Sequence, residues 1–321
     1  MSGWEAHMDF GVVHALAFPE CRSGEGPILE TLELLVDDAD FSAVEIAPVR
    51  DPMIRAKAMD LLRGSGMQVV YLPILPIIFQ DWGLGSADAD VRNSTMERLH
   101  ALILEAVAFD CPLAMITGPK DPGEAMREET FDRLITDIQS LCDFADASSH
   151  SRRLHLTLEN FDRDIEKKRL IGPTKEAVEL ARFVNRSNFG LTLDLSHLPL
   201  LGEAPSDAVA HAVPYMLHAH IGNCVADDPT SPLYGDFHPR FGYPGSANGV
   251  NEVVEYLCAL NQGNFWSRTA ERLGGKAILS MELKPAVGES PKAILGNGKR
   301  MFRRAWALSQ EAPEEEVRGR R

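Results

Sequence analysis

Residues 189–200 read FGLTLDLSHLPL. The run is β-prone, and strict alternation places Phe189, Leu191 and Leu193 on one face and Gly190, Thr192 and Asp194 on the other. A strand bound for a protein interior thus ends in a carboxylate, with His197 three residues further on. Two readings are open. Asp194 can cap the helix that follows. Alternatively it belongs to a metal or catalytic site, which parallel β/α barrels assemble at the carboxyl ends of their strands.

The same pattern recurs on both sides of this stretch. β-like runs at 8–16, 41–49, 67–75, 113–118, 154–161, 189–198, 216–224 and 277–284 alternate with segments whose apolar residues repeat at three- and four-residue steps, as core-facing helices require. Eight such units predict an α/β chain folded as a single-domain (β/α)8 TIM barrel over residues 1–310, rather than a doubly wound sheet. The segment 311–321, EAPEEEVRGRR, is polar and broken by proline, and predicts a flexible tail. Helix-to-strand connections are short, as at GSG (64–66) and NRS (185–187), whereas strand-to-helix connections such as 76–94 are long. In a barrel those long loops share the catalytic face.

Composition narrows the partners. A formal charge of −15, with no run of Lys or Arg, opposes binding to nucleic acid or to an anionic membrane surface. No stretch has the roughly 18 apolar residues of a membrane helix, and the amino-terminal MSGWEAHMDF lacks a basic region followed by an apolar one. Five scattered cysteines without CxxC spacing fit a reducing compartment, so a cytoplasmic protein is expected.

Parity then selects candidate ligands. The polar rows of LHLTLENF, FGLTLDL, MLHAHI and AILSMEL end in Glu159, Asp194, His220 and Glu282. Each alone reads most simply as a cap. Four in successive strands with matched parity point to one shared site, because converging carboxylates need a cation or a proton between them. Three oxygen ligands and one nitrogen suit a single divalent ion, Mn²⁺ first, with Mg²⁺ or Co²⁺ as alternatives.

With LTLENF (156–161), LTLDLSH (191–197), HAHIGN (218–223) and SMELKP (280–285), the chain resembles the xylose-isomerase-like TIM barrels, from residue 8 to about 308. The resemblance implies a metal-dependent sugar isomerase or epimerase that abstracts a proton α to a carbonyl. It implies metal ligation by Glu159, Asp194, His220 and Glu282, proton transfer by Glu159 and Glu282, and contact with sugar oxygens by His197. The epimerases place an arginine about six residues after the histidine ligand; here Ala226 stands there, and Arg240 is the nearest replacement. In the loop GDFHPRFGYPGSANG (235–249), Asp236, His238 and Arg240 either form a substrate-binding lid or tie the loop down through Asp–Arg and His–backbone bonds. Asp236-x-His238 also resembles a zinc pair of the endonuclease-IV branch, but YLPIL (71–75) and ITGPK (116–120) lack the further histidines that branch uses. An alternative within the family is the large subunit of a C-glycoside deglycosidase, a lyase acting on 3-oxo-glycosides with a small β-rich partner. A non-catalytic sugar-binding barrel is the remaining option.

Other residues carry paired readings. Glu45 is placed to bind a substrate hydroxyl or to pair with a neighbouring strand, and His14 to line the pocket or to cap a turn. His155 and His218 are expected to be hydrogen-bonded supports of the ligands. Phe79 and Trp82 suit either an apolar pocket wall or a partner surface. The apolar run Ile77, Ile78 and Phe79 points weakly to a homo-oligomer.

Overall fold

Each of the eight β-prone runs forms a strand in the computed structural model, which describes residues 3–311. These are β1 (Met8–Val13), β2 (Ala43–Ile46), β3 (Gln68–Tyr71), β4 (Leu113–Thr117), β5 (His155–Glu159), β6 (Phe189–Asp194), β7 (Met216–Gly222) and β8 (Ala277–Glu282). Neighbours pair in parallel in chain order, and β8 returns to β1, so the sheet closes into a barrel. Closure leaves no strand edge exposed. Leu191, Leu193, Ala219, Ile221, Leu279 and Met281 face the surrounding helices, in the large apolar layer between sheet and helices. Inside, Val13, Ala43, Val70, Leu113, Met115 and Ile278 fill the lumen. The hydroxyls of Thr192 and Thr157 meet there at 2.8 Å, so the interior is a packed core rather than a channel.

The strands stop earlier than the β-prone runs do. Residues His14–Ala17 turn helical directly after β1, and Ile74–Phe79 form a helix where strand and then loop were expected. Pro73 precedes that helix with φ −57° and ψ −18°, so its ring-locked backbone already has helical geometry. The alternation also breaks once. Between Leu191 and Thr192 the β6–β7 register skips a residue, pairing Leu191 with Met216 and Thr192 with His218. Met216, expected inward beside His218, therefore packs outward, and Leu217 points into the lumen. Gly190 makes the room: a Cβ there would lie 2.6 Å from Leu217 Cγ.

All five cysteines are buried and free. Among the described residues no helix is long and apolar enough to cross a membrane. Glu311 ends the last helix, Pro291–Glu311, and the rest of the expected tail lies outside the described residues.

Candidate active site

The strand ends bring Glu159, Asp194, His220 and Glu282 together, with one donor atom of each within 4.8 Å of all the others. His220 Nδ1 lies 2.7 Å from Glu282 Oε2 and 3.4 Å from Glu159 Oε1. Glu282 is the most exposed of the four at 9%, and His220 is fully buried. Glu159 Oε1, His220 Nδ1 and Glu282 Oε2 have no hydrogen-bond partner among the described residues. Buried, unsatisfied donor atoms converging on one point are costly unless a cation lies among them. The residues therefore fit a divalent metal. Gly222 lets the cluster close, since a Cβ there would sit 3.0 Å from the Glu282 carbonyl oxygen and 3.3 Å from Asp194 Oδ1.

The cluster is supported from behind. Glu45, on β2, receives bonds from His218 Nε2 at 2.7 Å and His220 Nε2 at 3.0 Å, while His218 Nδ1 reaches the Ile278 carbonyl at 3.1 Å. Glu45 forms an ion pair, but across the barrel with the histidines of β7 rather than with a neighbouring strand, and its side chain is fully buried and does not line the cavity. Donation from His220 Nε2 leaves Nδ1 free to ligate. Burial raises the Glu45 carboxyl, but the two histidines outweigh it and hold the group well below the usual range. Burial would lower His220, yet Glu45 and Glu282 push it well up. Burial also pushes Glu159 up to about 7, opposed by the nearby His220 and reinforced by Glu282. Asp194 is raised chiefly by burial, and it accepts a bond from Ser196 N at 2.8 Å.

The 235–249 loop folds over this cluster through contacts other than those read from its sequence. Asp236 pairs with Lys167 at 3.1 Å and His238 at 3.0 Å, and not with Arg240. His238, at φ +52°, reaches Glu282 Oε1 at 3.5 Å. Burial would lower its pKa, but Asp236 and then Glu282 raise it to about 9. Arg240, the expected stand-in for the missing arginine, instead pairs with Glu289 at 2.7 Å and does not line the cavity. His197 donates from Nδ1 to the Asn160 carbonyl at 2.8 Å and points Nε2 at Asp236 (3.3 Å) and Asp194 (3.4 Å). It is buried under Asp236 and does not reach the cavity. Asp194, His197 and His238 form a second group of donors close enough to share an ion.

A cavity opens above the cluster, and Glu159 and Glu282 line it whereas Asp194 and His220 do not. Asp236 and His238 contribute from the lid, and Val13, Leu16, Leu72, Leu75, Phe79 and Met115 supply an apolar wall. Trp82 packs against the outer core, Ile77 is buried, and His14 bonds to Thr31 at 2.8 Å away from the cavity. His155 is buried and hydrogen-bonded to backbone, as expected, but it starts β5 at the opposite end of the barrel from the ligands and so does not support them. Sequence reasoning missed Arg22, Glu166, Lys167, Phe237 and Lys284, all on the cavity wall. Lys284 continues the inward parity of Glu282, which could have flagged it. Lys167 is placed by a fold within its own loop: the Asp162 carboxylate accepts from Ile165 N, Glu166 N and Lys167 N at 2.6, 2.7 and 2.9 Å.

The chain superposes on a D-tagatose 3-epimerase-like protein with a TM-score of 0.72 at 18% identity, covering 95% of this chain and 99% of that one. D-psicose 3-epimerase from Clostridium cellulolyticum H10, solved with D-tagatose, gives 0.66 at 17%, covering 95% and 99%. The IolI protein with a bound zinc atom gives 0.63 at 15%, covering 95% and 97%. At these identities the likeness is one of fold. No curated protein sequence matches the chain. Residues 34–265 match the xylose isomerase-like TIM barrel family, and the chain belongs to it.

Proposed function

We propose that this protein is a divalent-metal-dependent enzyme that moves a proton at the carbon α to the carbonyl of a sugar or keto-sugar, as an isomerase or epimerase does. The observation that carries this reading is that, of the four ligands, only the two glutamates reach the cavity. Glu159, Asp194, His220 and Glu282 would hold the ion, Mn²⁺ by the hardness of the set, with Mg²⁺ or Co²⁺ as alternatives. The bound ion would supply Lewis acidity toward a carbonyl oxygen. Glu159 and Glu282, on different strands, take a proton from the substrate carbon and return one to it. Asp236 and His238 close the site from the lid, and the apolar wall excludes water from the transfer.

The apolar wall favours a second reading, a lyase acting on 3-oxo-C-glycosides. One glutamate removes the proton α to the ketone, the bond to the aglycone breaks, and the aglycone leaves with the bonding pair and is protonated. That reading brings a small β-rich partner subunit, whereas the first is compatible with a homo-oligomer. A phosphodiesterase using several metals is less favoured, since the Lys167 ammonium already balances Asp236.

The test is deuterium exchange at the α-carbon, followed by NMR with keto-sugars in D₂O. Exchange that requires Mn²⁺ and disappears in Glu159→Gln and Glu282→Gln supports the reading. Exchange that persists in both variants, or a protein that takes up no metal, overturns it.

A further inference from the structure

Among the described residues, two cations on the cavity wall form no salt bridge. Arg22 follows the turn Pro19–Cys21 in the loop after β1, with its guanidinium 4.1 Å from the centroid of the Phe79 ring. Lys284 lies two residues beyond Glu282; its backbone N–H donates to the His238 carbonyl at 2.7 Å, and its Nζ stands 5.7 Å from the Phe237 ring. Among the described residues, neither side chain makes an ion pair or a hydrogen bond to a carboxylate. In a chain with 47 acidic and 32 basic residues, partners for two cations are not scarce. The other charges on the wall are already engaged: Glu166 with Lys167, Lys167 with Asp236, Asp236 with His238, and Glu159 and Glu282 in the metal cluster.

The arrangement is also held in place. Gly24, at φ +80°, lets the Arg22 loop press against the β2 loop, where a Cβ would lie 2.0 Å from the Pro48 carbonyl oxygen, and Arg50 N bonds to Gly24 O at 3.0 Å. The lid fixes the Lys284 backbone through His238. Leu16, Leu75, Ile78 and Phe237 line the same cavity, and such apolar surface strengthens a charge interaction made there.

We infer that the substrate carries an acidic group, a carboxylate or a phosphate, which Arg22 and Lys284 bind while the rest of the molecule reaches Glu159 and Glu282. Guanidinium and ammonium groups together suit such an oxyanion, the first by its planar fork and the second as a point charge. The inference rests on the reading of this cavity as the substrate site.

The probes are D-fructose, 5-keto-D-gluconate and D-fructose 6-phosphate, compared by calorimetry on the Mn²⁺-loaded full chain, with α-proton exchange recorded in parallel. One acid should bind at least about tenfold more tightly than fructose, its affinity falling with added salt and by about tenfold in Arg22→Met and in Lys284→Met. Preference for the ketogluconate names a carboxylate, and preference for the phosphate ester names a phosphate. Equal binding of fructose and both acids, no binding of either acid, or wild-type affinity in both variants overturns the inference. Exchange of fructose without any preference for an acid leaves the proposed enzyme standing and removes only this inference. Salt-sensitive acid binding without exchange does the reverse.

Discussion

Glu45 Oε1 and His220 Nε2 lie 3.0 Å apart although 175 residues separate them in the chain. This contact fixes which nitrogen of His220 faces the cluster, and the same oxygen also accepts from His218. Replacing the carboxylate removes a charge-assisted acceptor from a ligand while leaving the ligand itself in place. Glu45→Gln should weaken Mn²⁺ binding by about 10- to 100-fold. Titration followed by the EPR signal of free Mn²⁺ measures it, and an unchanged affinity would show that Glu45 serves only to neutralise buried histidines.

Metal binding should also appear as stability. An ion that binds only the folded chain adds about 2.7 kcal/mol at a hundredfold excess over its Kd. Mn²⁺ should therefore raise the Tm by several degrees, EDTA should reverse the rise, and Asp194→Ala should abolish it together with the metal found by elemental analysis. A Tm rise that survives in Asp194→Ala would place the ion elsewhere.

Gly222 tests how tightly the ligands are set. Its missing Cβ leaves room for the Glu282 backbone, Ser196 and the Asp194 carboxylate. Gly222→Ala should cost about 1–3 kcal/mol by overpacking, and it should also lower metal affinity because two of the three residues displaced, Asp194 and Glu282, are ligands. Urea unfolding of the metal-free protein read beside Mn²⁺ titration separates the two effects. Loss of stability with wild-type affinity would mean that the strain relaxes away from the site.

His14, which is not one of the four ligands, gives a separate pH dependence. Burial lowers its pKa from 6.5 to about 4, so the folded chain holds it neutral where the unfolded chain protonates it. Between these values the unfolded state binds more protons. Stability is complete above pH 6.5 and declines as pH falls toward 4, by about 3 kcal/mol in total for this one group. Urea midpoints at pH 7 and pH 4.5 should diverge more for the wild type than for His14→Gln. Equal divergence would assign the acid sensitivity to other groups.

The alternation of side chains along a strand is a local property, and so the ligand rows were legible without coordinates. Glu159, Asp194, His220 and Glu282 converge as their parity indicates, and Asn160, of opposite parity to Glu159, turns into the loop and bonds to the Gly172 carbonyl at 2.7 Å. Parity failed only at Met216 and Leu217, where a register shift set by packing against Gly190 exchanges the two faces.

By itself the sequence determined the eight-unit barrel and the four-residue cluster, since periodicity and strand-end position follow from the covalent geometry of a short segment. The tertiary structure decided where the remaining charges go. Glu45 turned to the histidines, Arg240 to Glu289 and Asp236 to Lys167, while Arg22 and Lys284 were left facing the cavity. A long charged side chain on a loop can reach many partners. Which one it meets depends on distances between segments far apart in the chain, and these exist only once the barrel has closed.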